Sequence, residues 1–201
     1  GEFSILMTQN NLILSYLNEG RLNEAHDQMK SILEKVKKES KEEAILTNTM
    51  GIIYFYKGQY IEAMECFQKA SQWVSKFEPE DTFLNATVKG NIASTCCDLG
   101  KYQKAMSLHE EVLELFESSR PEHPYLAFCY NNIGFICKFL GHLLKALQHI
   151  LKAYTMLKQQ FEEDHPDIAR VLNNLGIIYL KRAHYDQALD YITQALKIAL
   201  K

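Results

Sequence analysis

Apolar side chains recur at i, i+3, i+4 and i+7 through ten consecutive stretches of this chain. This spacing places them on one face of a helix, whereas a half-buried strand would alternate strictly between apolar and polar residues. The pattern therefore predicts ten helices in two alternating series. The first series, the A helices, is predicted at roughly 4–18, 41–57, 81–98, 123–140 and 166–181, and the second, the B helices, at roughly 22–38, 60–77, 102–118, 143–161 and 185–200.

A small residue marks each turn from an A helix to the following B helix. A glycine or alanine is followed five residues later by alanine, and these pairs are spaced 38, 42, 41 and 42 residues apart. A fixed period of this length is typical of a solenoid built from stacked units. Glycine also favours the left-handed conformation that ends many helices. The pairs are Gly20/Ala25, Gly58/Ala63, Gly100/Ala105, Gly141/Ala146 and Ala183/Ala188.

Other glycines lie inside the predicted A helices. Gly51, Gly134 and Gly176 each come seven residues before the turn. Glycine in a helix interior is less favourable than alanine by about 1 kcal/mol, so a packing reason is needed. We expect the A and B helices of one hairpin to approach closely at these positions. The prolines at 79, 121, 124 and 166 all fall in B-to-A junctions, where they interrupt no predicted helix.

The sequence around the turns resembles the tetratricopeptide repeat, in which a mid-helix glycine precedes G-x-Y, two residues and alanine. The usual repeat has 34 residues, whereas this one has 41–42. Together with Asp-His-Pro-Asp-Ile-Ala at 164–169 and Glu-His-Pro-Tyr-Leu-Ala at 122–127, the length resembles the long, 42-residue kinesin-light-chain-like subclass.

The resemblance implies an all-α fold, a right-handed α-α superhelix (solenoid) of five helical hairpins with the A helices on its concave face. We expect a single array over residues 4–201 without an internal domain boundary, and the first three residues are typical of a cloning scar. The expected repeats are approximately 4–39, 40–79, 80–121, 122–164 and 165–201.

Composition excludes several classes of protein. The 201 residues are 47% apolar and 23% charged, which favours a packed core over disorder. Net charge is −3, and neither half carries the clustered basic stripe that nucleic-acid binding requires. No stretch approaches the length of a membrane span, and no secretory signal pattern opens the chain. We expect a cytoplasmic protein with no nucleic acid or membrane as partner.

Cysteine and histidine carry no recognisable catalytic or metal-binding pattern. The five cysteines include no C-x-x-C, and Cys96 and Cys137 share one repeat position, which predicts packing by reduced thiols. His123 and His165 both precede proline, where we expect imidazole to hydrogen-bond the backbone at a helix start. With no H-E-x-x-H, P-loop, G-x-S-x-G or Rossmann pattern, we expect no metal, no cofactor, no catalytic residue and no enzymatic activity.

Asparagine occupies two neighbouring rows of the A helices. Because its amide competes with the backbone for hydrogen bonds, asparagine is a mediocre residue for a helix interior. For the row nine residues before the turn, the simplest interpretation is a bond to the neighbouring helix that holds the repeats together. That row is Asn11, Thr49, Asn91, Asn132 and Asn174, and the row ten before the turn is Asn10, Asn48, Gly90, Asn131 and Asn173.

For the row ten before the turn, the resemblance implies the concave face. An amide there could offer a donor and an acceptor to an extended peptide backbone. Basic neighbours would favour acidic side chains or a C-terminal carboxylate, and phenylalanines an apolar anchor. The alternative is that these aromatic side chains belong to the core. The predicted peptide-binding residues are Asn10, Asn48, Asn131, Asn173, Phe128, Phe135, Lys138, Phe139, Arg170, Ile177 and Lys181.

These features favour a non-catalytic scaffold for protein-protein interaction that binds an extended peptide, about 9–12 residues long, in the concave groove. Two alternatives remain open. One is a regulatory or sensor module of a larger signalling protein or enzyme. The other is a self-assembling structural module whose ends stack between copies through Ile198 and Leu200.

Overall fold

The computed structural model describes residues 2–119 and 121–200, and all regular structure in these ranges is α-helical. The predicted all-α class and the alternating A and B series are confirmed. No predicted helix end differs from the observed one by more than three residues. The helices are α1 Glu2–Asn18, α2 Leu22–Lys35, α3 Lys41–Tyr56, α4 Tyr60–Phe77, α5 Thr82–Asp98, α6 Tyr102–Ser119, α7 Tyr125–Phe139, α8 Leu143–Gln160, α9 Pro166–Lys181 and α10 Tyr185–Ala199.

The five A-to-B turns share one backbone conformation. The four turn glycines have φ between +71° and +81°, as predicted, and Ala183 adopts the same left-handed region at +60°. In every copy the backbone N–H of the residue after the turn residue donates a hydrogen bond. Its acceptor is the carbonyl of the residue four before the turn residue, as in Gln59 to Tyr54 and His142 to Cys137. This bond satisfies a carbonyl that the helix end would otherwise leave without a partner.

The helices form two compact units, residues 1–101 and residues 102–201. In unit 1, α1 packs on α2 and α3 on α4, while α5 lies against α4 and α3. In unit 2, α7 packs on α8 and α9 on α10, while α6 lies against α7 and α8 against α9. Within each unit, a hairpin therefore stacks on the next through both of its helices. A single array over residues 4–201 stays a prediction.

Close packing inside each hairpin explains the mid-helix glycines. A Cβ atom on Gly134 would lie 2.3 Å from Ile150 Cγ1, and one on Gly176 would lie 2.4 Å from Ile192 Cγ1. Such distances leave no room for a methyl group. The A and B helices therefore approach each other as predicted.

Two of the junctions place a histidine at the start of an A helix. His165 Nδ1 accepts a hydrogen bond from the Asp167 backbone N–H at 3.2 Å, and His123 Nδ1 accepts one from that of Tyr125 at 3.1 Å. Each imidazole thus satisfies a first-turn N–H that has no partner within the helix. The predicted structural role of both histidines is confirmed.

Candidate functional site

The asparagine rows form amide-to-amide bonds between consecutive A helices. In unit 1, Asn91 Nδ2 donates to Asn48 Oδ1 at 2.9 Å, and in unit 2, Asn174 Nδ2 donates to Asn131 Oδ1 at 2.9 Å. Each donor lies nine residues before its turn, and each acceptor lies ten before the preceding turn. The predicted stacking role is therefore confirmed for Asn91 and Asn174.

The row ten residues before the turn, which we call the acceptor row, is less open than we expected. Asn10, Asn48 and Asn131 are only 7%, 6% and 3% exposed, and the carbonyl oxygens of the last two are engaged by the next A helix. One lone pair of each oxygen is therefore engaged, and the role of these two amides in peptide binding stays a prediction. Their Nδ2 atoms donate to no described group and are not enclosed, so these donors meet solvent. Asn173 is exposed.

One amide oxygen of the acceptor row has no hydrogen-bond donor among the described residues. Asn10 Oδ1 is enclosed and accepts no hydrogen bond from any described group. The residue at the donor position of the next A helix is Thr49, whose hydroxyl donates to the Ile45 carbonyl at 3.2 Å instead. The threonine is visible in the sequence, but its consequence for Asn10 depends on the packing of α1 against α3.

Most of the predicted binding residues lie together on one surface of unit 2. Phe128, Asn131, Phe135 and Lys138 follow one another along α7, and the α9 residues lie at nearly the same intervals. The Arg170 guanidinium carbon is 5.5 Å from the centre of the Phe128 ring, which shows that the two rows run side by side. We call this surface the α7–α9 face, and it consists of Phe128, Asn131, Phe135, Lys138, Phe139, Arg170, Asn173, Ile177 and Lys181.

The phenylalanines of the α7–α9 face are intermediate between core and surface. The Phe135 and Phe139 rings pack with centroids 4.7 Å apart, and Phe139 stacks on Tyr102 at 5.2 Å. Phe128 and Phe135 are half-buried, while Phe139 is 53% exposed. These rings rest on the core and still offer apolar area to a ligand.

Two lysines give the face its charge. Lys138 Nζ lies 4.3 Å from the Phe135 ring centre and 5.3 Å from that of Phe139. Burial, and then the positive charge of Lys181, lower the pKa of Lys138. No carboxylate of the described residues forms an ion pair with either lysine, whereas Arg170 is paired with Asp167 at 2.8 Å. An anion placed between the lysines would relieve their repulsion.

Asn10 and Asn48 belong to unit 1, on α1 and α3. The structure therefore brings together nine of the eleven predicted site residues and assigns the other two to a separate unit.

Family models of the tetratricopeptide repeat match residues 84–159 and 140–201, and a further one matches residues 48–73. The chain belongs to the tetratricopeptide-repeat family. No protein among the curated sequences matches it.

Solved structures share the fold of this tetratricopeptide-repeat chain at low sequence identity. BtubC (BKLC) from P. vanneervenii aligns over 98% of the chain and 81% of its own length, with a TM-score of 0.77 and 20% identity. A putative kinesin light chain of nearly identical TPR-like repeats from Podosopora anserina aligns over 98% and 96%, with a TM-score of 0.67 and 18% identity. A Rap protein complexed with competence and sporulation factor aligns over 96% and 53%, with a TM-score of 0.82 and 21% identity.

In this tetratricopeptide-repeat chain Cys96 and Cys137 are packing residues, as predicted, and are 0% and 2% exposed. Burial raises the pKa of the Cys66 thiol to about 11 and that of Cys129 to about 12. These thiols are therefore protonated at neutral pH, unlike an activated nucleophile.

His109 was not singled out by the sequence patterns. Its side chain is 0% exposed, both ring nitrogens are enclosed without a described partner, and burial lowers its pKa to about 4. The residue lies nine positions after the turn, where Met29, Phe67 and Ile150 form the core of other copies. A polar residue in an otherwise apolar row was the available signal.

Among the described residues, no three histidine, cysteine or acidic side chains are grouped so that they could hold a metal ion. None of the helices that these residues form is long and apolar enough to cross a membrane.

Proposed function

We propose that this chain is a non-catalytic scaffold for protein-protein interaction that binds an extended acidic peptide on the α7–α9 face. The observation that carries the proposal is the unneutralised pair Lys138 and Lys181 beside a partly exposed aromatic surface. A cationic pair on a half-buried platform favours a carboxylate more strongly than a fully solvated pair would.

Each part of the face contributes a different kind of contact. A peptide carboxylate would bind between Lys138 and Lys181, and an aromatic or aliphatic side chain would pack on Phe135 and Phe139. Phe128 and Arg170 form a second aromatic and cationic contact near the N-terminal ends of α7 and α9. Ile177 adds apolar area on α9 between Arg170 and Lys181.

The asparagines would orient the peptide. The free Nδ2 groups of Asn131 and Asn173 can donate to backbone carbonyls without demanding a particular sequence. By the same reasoning, Asn48, whose Nδ2 is also free, and Asn10, which holds the same repeat position, would contact a peptide backbone within unit 1.

Repeat spacing and structural similarity support further parts of the proposal. The 41–42-residue spacing and the similarity to a putative kinesin light chain support membership of the long-repeat subclass. The similarity to a Rap protein complexed with competence and sporulation factor supports a role in binding. We also propose a cytoplasmic location, in keeping with five cysteines that are all free thiols.

Fluorescence anisotropy with labelled ten-residue peptides tests the proposal. One probe carries glutamates around a single tryptophan, and its counterpart carries lysines in place of the glutamates. We expect the wild type to bind the acidic probe, and Lys138→Glu with Lys181→Glu to weaken binding at least about tenfold, since each lost ion pair is replaced by repulsion. Higher salt should also weaken binding.

The matched control is Lys57→Glu with Lys101→Glu, which makes the same change of charge in unit 1. This control should retain the affinity of the wild type for the acidic probe. Equal binding of the acidic and basic probes by the wild type, or equal binding by the two double variants, would show that the α7–α9 face does not recognise acidic peptides. Asn173→Ala tests the backbone contact without removing an amide pair.

A further inference from the structure

The hairpin of α9 and α10 exposes an apolar surface. Leu189 and Leu196 on α10 are 69% and 56% exposed. Their counterparts one repeat earlier, Leu147 and Tyr154, are only partly exposed, because α8 lies against both α7 and α9, whereas α10 packs on α9 alone. We call this surface, formed by Asn173, Leu180, Leu189, Leu196 and Leu200, the tail face.

The first helix carries the complementary surface. Leu12 is 47% exposed, but the residues at its position in the later A helices, Met50, Ile92, Ile133 and Leu175, are all at most 9% exposed. This position therefore belongs to the side of an A helix that is covered when another hairpin lies against it. We call this surface, formed by Ile5, Thr8, Asn11, Leu12 and Ser15, the head face.

The tail face also carries an asparagine at the acceptor position of the amide pairs, and the head face carries one at the donor position. Asn173 stands at the acceptor position of Asn48 and Asn131, and Asn11 stands at the donor position of Asn91 and Asn174. Both Asn11 and Asn173 are exposed. An A helix docking on the tail face in the register of the internal repeats would place one amide against the other.

The polar residues of the head face are compatible with burial. The Thr8 hydroxyl donates to the Ser4 carbonyl at 2.9 Å, and the completely buried Thr95 makes the same bond to Asn91 at 2.8 Å. Ser15 occupies the position of Thr95 on α1. A hydroxyl that is satisfied within its own helix costs little to remove from water.

We infer that copies of this chain associate head to tail, with the head face of one copy seated on the tail face of another in the register of the internal hairpins. Asn11 Nδ2 of one copy donates to Asn173 Oδ1 of the other, and Leu12 packs against Leu189 and Leu196. The contact joins two different surfaces, so it repeats into open chains or closes into rings. It is independent of peptide binding, for which Asn173 contributes its Nδ2.

Sedimentation velocity tests the inference with two blocked variants of the full chain. The mean mass of the wild type should rise over a range from about 10 µM to about 1 mM. Leu12→Glu blocks the head face and Leu196→Glu blocks the tail face, so each variant alone should stay monomeric. An equal mixture of the two should form a dimer and nothing larger, because one intact head and one intact tail remain.

The matched control is Leu144→Glu, which places the same charge on a leucine that is 65% exposed outside both faces and should associate like the wild type. Asn173→Ala should weaken association by about 2–10-fold, as expected for one hydrogen bond. Circular dichroism shows whether each variant is folded. If Leu196→Glu is unfolded, Leu189→Lys blocks the tail face in its place.

A wild type that stays monomeric throughout overturns the inference, and so does a mixture of blocked variants that forms no dimer. Association of Leu12→Glu with itself would instead indicate a symmetric tail-to-tail contact and would equally refute the head-to-tail arrangement.

Discussion

Units 1 and 2 are built with the same internal devices and differ in what their A helices expose. Each unit has left-handed turns at glycine or alanine, a mid-helix glycine against a large side chain and an asparagine pair. The difference lies at the positions 13, 6, 3 and 2 residues before the turn. In α7 and α9 of unit 2 these positions include phenylalanine, lysine and arginine. In α3 and α5 of unit 1 they include no basic residue and are occupied by Ile45, Ile52, Phe55, Tyr56, Thr87, Ser94, Cys97 and Asp98.

In the proposed function, the aromatic and basic contacts use positions of the helix other than those that stack the hairpins. The asparagine pairs and buried aliphatic residues hold one hairpin on the next, and the neighbouring positions can change without disturbing them. Partner chemistry can therefore differ between repeats of one fold.

The largest difference between the units should be a loss of stability of unit 2 at acidic pH. His109 lies in the core row of unit 2, where unit 1 has Met29 and Phe67. Because burial lowers its pKa to about 4, the folded state excludes a proton that the unfolded state accepts below about pH 6.5. The free energy of unfolding should be unaffected above pH 6.5 and fall by about 3 kcal/mol between pH 6.5 and 4.

Hydrogen exchange measured along the chain at pH 7 and pH 4.5 checks this expectation. Protection of α6 and α7 should decrease more than that of α3 and α4, after correction for intrinsic exchange. His109→Met supplies the residue of the corresponding position in α2 and should abolish the difference. Equal acid sensitivity of His109→Met and the wild type would remove His109 as its cause.

An intermediate effect should be common to both units. Asn174→Ala leaves Asn131 Oδ1 buried without a donor, and Asn91→Ala does the same to Asn48 Oδ1. Each variant should lower the free energy of unfolding by about 2 kcal/mol, the usual penalty for an unsatisfied buried acceptor. Urea denaturation followed by circular dichroism measures both. A clearly smaller effect in one unit would mean that the pair does not serve the same purpose in each.

The smallest expected effect is an increase in stability. Thr49→Asn restores the donor that Asn10 Oδ1 lacks, in the arrangement that Asn91 and Asn48 already show. We expect the free energy of unfolding to rise by about 1 kcal/mol, the net contribution of one hydrogen bond. Thermal unfolding of Thr49→Asn beside Asn10→Ala/Thr49→Asn measures the gain. If both variants have the same stability, no bond to Asn10 has formed.

Much of the fold was predictable because it depends on short stretches of chain. Helical periodicity and glycine at Gly58 or Gly141 indicate a turn with no reference to the rest of the molecule, and the turn bond itself spans only a few residues. The two histidines at helix starts were predictable for the same reason. His109 was not, because its burial depends on which side of α6 is covered.

The candidate site was only partly predictable. Helical spacing was enough to place Phe128, Phe135 and Lys138 on one face of α7. The approach of Arg170 to Phe128, and of Lys181 to Lys138, depends on how α9 lies beside α7. The engagement of Asn131 by Asn174 likewise joins residues 43 positions apart.

The sequence by itself determined the helices, the turns and membership of the tetratricopeptide-repeat family, because bonds within about one helical turn and a regular repeat decide them. Only the tertiary structure decided which atoms remain available. Asn131 and Asn173 hold the same position in successive repeats, yet one is 3% exposed and the other lies open. The physical reason is that α9 covers the first, whereas no further A helix of the described chain covers the second.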